Sequence, residues 1–192
     1  LYGLESSITI FRALRYFWDR DEKGRPLTTL LCAHARDSLI RCSAKLVLPL
    51  NVGDQLTVEM IEDFLQHEFP GRFSKGALNS TSRNLKASWT KSGHLSGRGK
   101  KFRVRAVASS GSVSYALLLG YLSGIRGKSL FESEFMKLLD CPIGEAMELA
   151  DGAARNGWII FKRLGDVVEV LFPTILTQTE MELACEQVQK TA

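Results

Sequence analysis

Five of the eight residues from 98 to 105 are Lys or Arg, and this short stretch contains no acid. Basic side chains at this density suit a polyanion, because they neutralise phosphates and displace the counterions. Gly97 and Gly99 would permit a tight turn, with the basic side chains projecting for phosphate contacts or for insertion into a minor groove. The basic residues are Arg98, Lys100, Lys101, Arg103 and Arg105.

A helical pattern precedes this turn. Leu78, Thr81, Leu85 and Trp89 recur at helical spacing, which predicts a helix over residues 75–92 with these four side chains inward. Arg and Asn on its opposite face could pair with guanine and adenine in a major groove. Polar residues are also typical of any exposed helix face, so this reading rests on the lack of acids there. Ala87 leaves room for close approach, and the candidate contacts are Lys75, Asn79, Ser80, Arg83, Lys86, Thr90 and Lys91.

The neighbouring elements predict how that helix and turn are held. A helix capped by Thr57 comes before it, joined by a short Pro/Gly turn after which Ser74 is the expected cap of the helix over residues 75–92. A β-hairpin over residues 94–106 comes after it. Alternation predicts that Phe102 faces the core, while Arg103 and Arg105 face outward. His94 is a further candidate phosphate contact. Helix, turn, helix and hairpin in this order predict a winged helix-turn-helix, with residues 94–106 as the wing.

Charge is distributed unevenly along the 192 residues, whose net charge is only +4. Residues 69–131 contain twelve Lys or Arg and no Asp or Glu, whereas the rest of the chain holds 13 basic residues against 21 acids. A positive middle between negative flanks indicates an electrostatic binding surface more than general solubility.

The second half of the chain repeats the same order of elements. An apolar helix, a short helix, a longer helix and a hairpin turning at Gly165–Asp166 predict a second winged unit. SSGS at residues 109–112 is the expected joint, which gives domains over 1–108 and 109–192. Thr177 and Glu180 predict a capping box for a C-terminal helix. The expected fold class is mainly α with small β-hairpins.

The second winged unit differs from the first in charge. Its longer helix carries Glu145, Glu148 and Asp151, which would repel a phosphate backbone. We therefore expect a structural or protein-binding role for it. If it contacts DNA, Lys162 and Arg163 are the candidates.

The sequence offers no complete motif for nucleotide binding, catalysis or metal binding. GRGK is not a complete phosphate-binding loop and lies between strands. His34, His67 and His94 occupy separate elements without an orienting acid, so no catalytic role and no enzyme activity are expected. Cys32, His34 and Cys42 lack a fourth metal ligand, so we expect neither metal nor cofactor.

Scattered cysteines and short apolar runs favour a cytoplasmic protein with reduced thiols and no membrane span. The cysteines are Cys32, Cys42, Cys141 and Cys185.

Several short motifs over about residues 28–95 resemble the A-protein of BREX phage-defence systems (BrxA). They are LLCAHARDSLIR, the Leu56, Thr57, Glu59 and Phe64 pattern, LNSTSRNLKASW and the exit SGHL at residues 92–95. The resemblance implies DNA binding and a bacterial defence setting. It does not cover the basic wing or the second winged unit.

The sequence thus predicts a non-enzymatic protein that binds duplex DNA through residues 75–92 and 94–106. An alternative is an assembly subunit of a larger defence or nucleic-acid-processing complex, in which the basic middle docks on an acidic protein and the second winged unit recruits partners. RNA ranks lower, because Phe102 is expected to face the core and leaves no stacking surface in the wing. The oligomeric state does not follow from the sequence.

Overall fold

A computed structural model describes residues 9–182 of the chain. Its contacts divide the chain into two compact units. The central unit comprises residues 33–106, and the flanking unit comprises residues 1–32 and 107–192. The described residues are mainly helical with small antiparallel sheets, which confirms the expected mainly α class.

From α4 onward the helices and hairpins follow one another in the predicted order. The α-helices are α1 Thr9–Arg20, α2 Arg25–Arg36, α3 Ser38–Val47, α4 Val58–Glu68, α5 Lys75–Lys91, α6 Ser110–Leu122, α7 Glu134–Lys137 and α8 Ile143–Arg155. The strands are β1 Gln55–Leu56, β2 Leu95–Ser96, β3 Lys101–Arg103, β4 Ile160–Leu164 and β5 Val167–Leu171. A 3₁₀ helix spans Gly127–Glu132, and helical backbone begins again at residue 178.

In the central unit, α3 begins at a side-chain cap. The carboxylate of Asp37 accepts hydrogen bonds from the amides of Leu39 (2.8 Å) and Ile40 (3.3 Å). An Asx cap of this kind satisfies amides that would otherwise lack partners at a helix start. It therefore ends α2 and starts α3 as a separate helix.

The helix pair α4–α5 has the caps that the sequence predicts. Thr57 Oγ1 accepts from the amide of Met60 at 3.2 Å, and Ser74 Oγ accepts from the amide of Ala77 at 3.3 Å. The hairpin β2–β3 follows, and β1 pairs with the other side of β3 to give a sheet of order β1-β3-β2. The two-residue strand β1 was not expected, because residues 51–55 suggest only a turn.

A buried polar network joins α3, α5 and the start of the hairpin. Trp89 is fully buried, and its Nε1 donates to Ser43 Oγ at 2.8 Å. Ser43 Oγ donates in turn to the carbonyl of Ile40 at 2.8 Å. At the end of α5, Ser92 Oγ donates to the carbonyl of Trp89 (3.0 Å) and lies 2.9 Å from His94 Nδ1. Ser92 therefore links the last turn of α5 to the ring of His94.

In the flanking unit, α6 is the central helix. Every residue from Gly111 to Tyr121 is buried, and α1, α7 and α8 pack around this helix. The short helix predicted before α8 is a 3₁₀ helix followed by the four residues of α7. Strands β4 and β5 pair antiparallel from Ile160↔Leu171 to Leu164↔Val167, which leaves Gly165–Asp166 as the two-residue turn that the sequence predicts.

Residues 109–112, the expected joint, form the start of helix α6. Ser109 is the N-cap of α6 and forms a reciprocal capping box with Ser112. The amide of Gly111 donates to Asp21 Oδ2 at 2.7 Å, and a Cβ on Gly111 would lie 2.5 Å from the same oxygen. Small residues are required here because the helix start packs tightly against Asp21.

The predicted boundary between residues 108 and 109 lies close to the observed change of unit at 106–107. The grouping of the first residues differs from the predicted one. Residues 1–32 belong with 107–192 and not with the basic central segment. Residues Phe11 and Phe17 of α1 are buried, and the rings of Phe17 and Tyr115 meet edge to face at 6.2 Å.

The predicted capping box at Thr177 and Glu180 is confirmed. The amide of Thr177 donates to Glu180 Oε2 (2.8 Å), and the amide of Glu180 donates to Thr177 Oγ1 (3.3 Å). Glu180 also accepts from Arg12 at 2.6 and 2.7 Å and from the hydroxyl of Thr9. Helical backbone continues to residue 182, and the rest of the expected C-terminal helix, with Cys185, lies outside the described residues.

We expect Glu180→Gln to lower the free energy of unfolding by about 1–2 kcal/mol at pH 7. Although partial burial opposes ionisation, hydrogen bonds from Arg12, Thr9 and Thr177 lower the pKa of Glu180 from 4.5 to about 2. An acid with a lowered pKa stabilises the fold above its unfolded pKa and loses that effect as pH falls toward the folded pKa. Urea denaturation should therefore show the difference at pH 7 and a much smaller one near pH 2.5. An equal difference at both pH values would contradict this assignment.

Candidate nucleic-acid interface

Helix α5 presents an exposed face without any acidic residue. Ser80, Arg83, Asn84, Ala87 and Lys91 are exposed on it, opposite the buried Leu78, Leu85 and Trp89. Lys75 is exposed in the first turn. The face therefore carries two cations, Arg83 and Lys91, with hydrogen-bonding groups and a small side chain that permits close approach, and Lys75 is a third exposed cation at the start of the helix.

The centre of this face is rotated from the prediction toward Asn84. Asn79 is half-buried, and its Nδ2 donates to Glu62 Oε1 of α4 at 2.6 Å. Lys86 and Thr90 are also half-buried, and the hydroxyl of Thr90 donates to the carbonyl of Lys86 at 2.8 Å. Asn79 and Thr90 thus have partners inside the unit, and Asn84 replaces them as the exposed amide.

An acidic residue of α4, Glu59, lies near the cations of α5. Hydrogen bonds from the amide of Glu59 and from Thr57, with the nearby charges of Lys86 and Arg83, hold the pKa of Glu59 below its usual value. Glu59 is exposed and therefore ionised at neutral pH. This carboxylate would repel a polyanion at the edge of α5 that carries Arg83 and Lys86.

The hairpin tip is built around a glycine that no other residue can replace without movement. Gly97 has φ +116°, and a Cβ there would lie 2.2 Å from the carbonyl oxygen of Lys100. Lys101 Nζ donates to the carbonyl of Gly97 across the turn. Arg98, Gly99 and Lys100 are consequently held out as an exposed loop.

The orientation predicted for β3 is wrong. Arg103 is 3% exposed and Phe102 is 39% exposed, so the cation faces inward and the ring faces outward. The strand pairing explains the inversion. Leu56 lies opposite Lys101, and Leu95 lies opposite Arg103, so the buried leucines of β1 and β2 share a sheet face with these two cations.

Arg103 is consequently a buried structural residue and not an exposed phosphate contact. Its Nη1 donates to the carbonyl of Val104, and its own amide donates to the carbonyl of Asp54 at 2.8 Å. Arg105, two residues later, is exposed as predicted.

The prediction for His94 is also corrected. Its side chain is fully buried, lies edge-on to Trp89 at 4.9 Å and bonds to Ser92. The ring therefore ties the end of α5 to the hairpin and is not available to a phosphate.

Several exposed cations of the central unit have no acidic partner among residues 9–182. These residues are Lys75, Lys91, Arg98, Lys100 and Arg105. By sequence, the central unit holds 13 Lys or Arg against 6 Asp or Glu, a net charge of +7. The flanking unit holds 12 against 15, a net charge of −3.

Sequence reasoning missed a further cation in the turn between α4 and α5. The guanidinium of Arg72 lies over the rings of Phe69 (5.0 Å) and Phe73 (5.5 Å) and is exposed. Stacking restricts a long side chain and keeps its charge in place at low entropic cost. The F-P-G-R-F spacing is the signal that could have indicated it.

The hairpin of the flanking unit is electrostatically different. Lys162 pairs with Glu169 at 3.1 Å, and the Arg163 guanidinium contacts the sulfur of Met147 at 3.2 Å. Lys128 pairs with Asp166 at 2.9 Å, which raises the pKa of Lys128 and lowers that of Asp166. The candidate cations of this hairpin are therefore already engaged inside the unit.

The exposed face of α8 is acidic, as expected. Glu145, Glu148 and Asp151 are all exposed along it.

Within the part of the chain that the structure describes, no cluster of three or more His, Cys, Asp or Glu residues is arranged to hold a metal ion. None of the helices among residues 9–182 is long and apolar enough to cross a membrane.

No family model, curated protein or solved structure matches the chain.

Charge reversal at two arginines separated by one residue should change the stability of the central unit to very different extents. Arg103→Glu places an acid among the buried leucines of the sheet, and we expect it to destabilise the central unit by about 3–5 kcal/mol. Arg105→Glu changes an exposed side chain, and we expect a change of less than about 0.5 kcal/mol. Urea denaturation followed by circular dichroism measures both. Equal effects would mean that Arg103 does not occupy the buried position.

Proposed function

We propose that the central unit is a winged helix-turn-helix that binds duplex DNA. The supporting observation is that two surfaces suited to DNA occur in one unit of net charge +7. The outward face of α5 has no acidic residue, and the exposed cations of the hairpin have no ion pair among residues 9–182. The element order and the three-stranded sheet β1-β3-β2 agree with this architecture. No chemical step is required, so the function proposed is binding without catalysis.

Each part of the surface has a role that its chemistry suits. Helix α5 enters the major groove, where Arg83 and Asn84 are the exposed side chains able to pair bidentately with guanine and adenine. Ser80 and Ala87 are small enough to let the helix approach the base edges. Arg98, Lys100 and Arg105 of the hairpin contact phosphates or the adjacent minor groove.

Arg72 adds a phosphate contact that the sequence pattern did not indicate. Its guanidinium is exposed in the turn before α5 and is held against Phe69 and Phe73. A cation fixed in this turn suits the backbone contacts that orient a recognition helix.

The flanking unit has the opposite character and takes a different role in this proposal. Its acidic α8 face and its internally paired hairpin cations favour a structural or protein-binding function. The resemblance to the BREX A-proteins supports a bacterial phage-defence context, which would place the protein in the cytoplasm.

A second function is an assembly subunit whose basic central unit docks on an acidic protein of a larger complex. The uncompensated cations favour this possibility too, because they would complement any anionic surface. The outward face of α5 favours DNA over an acidic protein. The core of a protein-docking surface is generally depleted of Lys and enriched in aromatic residues, whereas this face has two cations, Arg83 and Lys91, and no aromatic residue.

The double variant Arg98→Glu with Lys100→Glu should weaken duplex binding by roughly tenfold or more at moderate salt. Both side chains are exposed in the hairpin loop, so the fold should be retained. If each residue neutralises one phosphate, the slope of log K against log salt should fall by about 2. Fluorescence anisotropy with a labelled duplex over a salt series gives both quantities.

The matched control is Lys137→Glu with Arg155→Glu, which changes the net charge equally in the flanking unit. Both of these residues are exposed at helix ends. We expect wild-type affinity within about twofold, because the exposed pair lies outside the proposed surface. Equal loss in the two double variants would indicate non-specific charge attraction and contradict the assignment.

A single substitution tests the outward face of α5. Ala87→Glu puts a negative charge at its centre and should reduce duplex affinity by at least about tenfold through repulsion of the backbone. Ala87→Gln has the same length without the charge and separates repulsion from steric exclusion. Retention of full affinity by folded Ala87→Glu would show that α5 does not face the DNA. Binding that requires an acidic protein and never occurs with DNA would support the assembly function instead.

A further inference from the structure

The exposed ring of Phe102 lies at the centre of the sheet of the central unit. Strand β3 is the middle strand, and Phe102 pairs with Gln55 of β1 and Ser96 of β2. All three side chains therefore share the outward face. The ring runs along the hairpin loop, because a Cβ on Gly97 would lie 3.7 Å from its Cδ2.

This placement reverses the usual pattern of a half-buried sheet. The pairing puts Arg103 among leucines and leaves a phenyl ring 39% exposed between two polar neighbours. Local departures from the pattern of apolar-inside and polar-outside are expected at functional sites, where another requirement decides the side chain. The exposed face then has one aromatic surface with hydrogen-bonding groups on both sides.

Cations that could follow a nucleic-acid backbone surround this ring along the chain. Arg98 and Lys100 precede it in the loop, and Arg105 follows it, all exposed and without an ion pair among residues 9–182. A positive groove together with an aromatic side chain is the combination by which proteins bind unpaired bases, since each base offers a face for stacking.

We propose that Phe102 stacks on an unpaired base of single-stranded DNA that adjoins a bound duplex. Gln55 and Ser96 lie where they can hydrogen-bond the edge of that base, and Arg98 and Lys100 contact its phosphates. This inference rests on the proposed duplex binding and extends it. The protein would prefer a junction between double and single strands to an uninterrupted duplex.

Three labelled DNA probes test the proposal with the full chain by fluorescence anisotropy. They are a blunt duplex, the same duplex with a single-stranded thymine tail, and the tail alone. The wild type should bind the tailed duplex at least about tenfold more tightly than the blunt one. Phe102→Ala should remove this gain while leaving blunt-duplex affinity within about twofold.

Substitutions at the same position separate stacking from simple apolar contact. Phe102→Trp should keep the gain, because the indole also stacks, whereas Phe102→Leu should lose most of it. The fluorescence added by Phe102→Trp should be quenched by the tailed duplex and not by the blunt one. Circular dichroism confirms folding of each variant, which an exposed position should permit.

The results separate failure of this inference from failure of duplex binding. Wild-type protein that does not bind the blunt duplex contradicts the proposed function. Duplex binding with no gain from the tail, or with a gain that Phe102→Ala retains, overturns the stacking role alone. A loss by Phe102→Ala that is equal for blunt and tailed duplexes indicates a wedge in intact DNA and also overturns it. If an RNA tail increases the affinity more than the DNA tail does, the proposed preference for single-stranded DNA is wrong.

Discussion

The buried indole of Trp89 determines where the outward face of α5 points. Its hydrogen bond to Ser43 fixes the rotation of α5 against α3, because the bond is directional and its partner is itself bonded to the carbonyl of Ile40. Ser92 and His94 extend the network to the first strand of the hairpin. A buried network in which the donors have acceptors specifies one arrangement, so the exposed cations of helix and hairpin keep a defined spacing.

The same constraint explains why Arg103 and Phe102 occupy unexpected positions. Once Leu95 follows His94 into the core, its cross-strand partner must share that face. The partner is Arg103, whose long aliphatic stem can lie in apolar surroundings while its guanidinium finds a carbonyl. The intervening Phe102 is left on the other face. The burial of Arg103 and the exposure of Phe102 therefore both follow from the strand pairing.

The local elements could be predicted from the sequence, whereas the side-chain partners across elements could not. Caps at Thr57 and Ser74 and the turn at Gly165–Asp166 depend on a few adjacent residues, and the structure confirms them. The register of β3 depends on β1, which is too short to show a pattern. The burial of Asn79 depends on Glu62 in another helix. Alternation along FRVRA fits either face, and only the partners of the strand decide between them.

The grouping of residues 1–32 with 107–192 makes the central unit an insertion in the flanking unit. During synthesis, the buried face of α1 emerges first, but Tyr115 and the rest of α6 emerge only after the whole central unit has been made. At a synthesis rate of about 5–20 residues per second, several seconds pass between the synthesis of α1 and that of the α6 residues against which it packs. The central unit, which is one continuous segment of the chain, can fold during that interval. Its completion would precede that of the unit that encloses it in sequence, so the basic surface forms on the nascent chain before the acidic one.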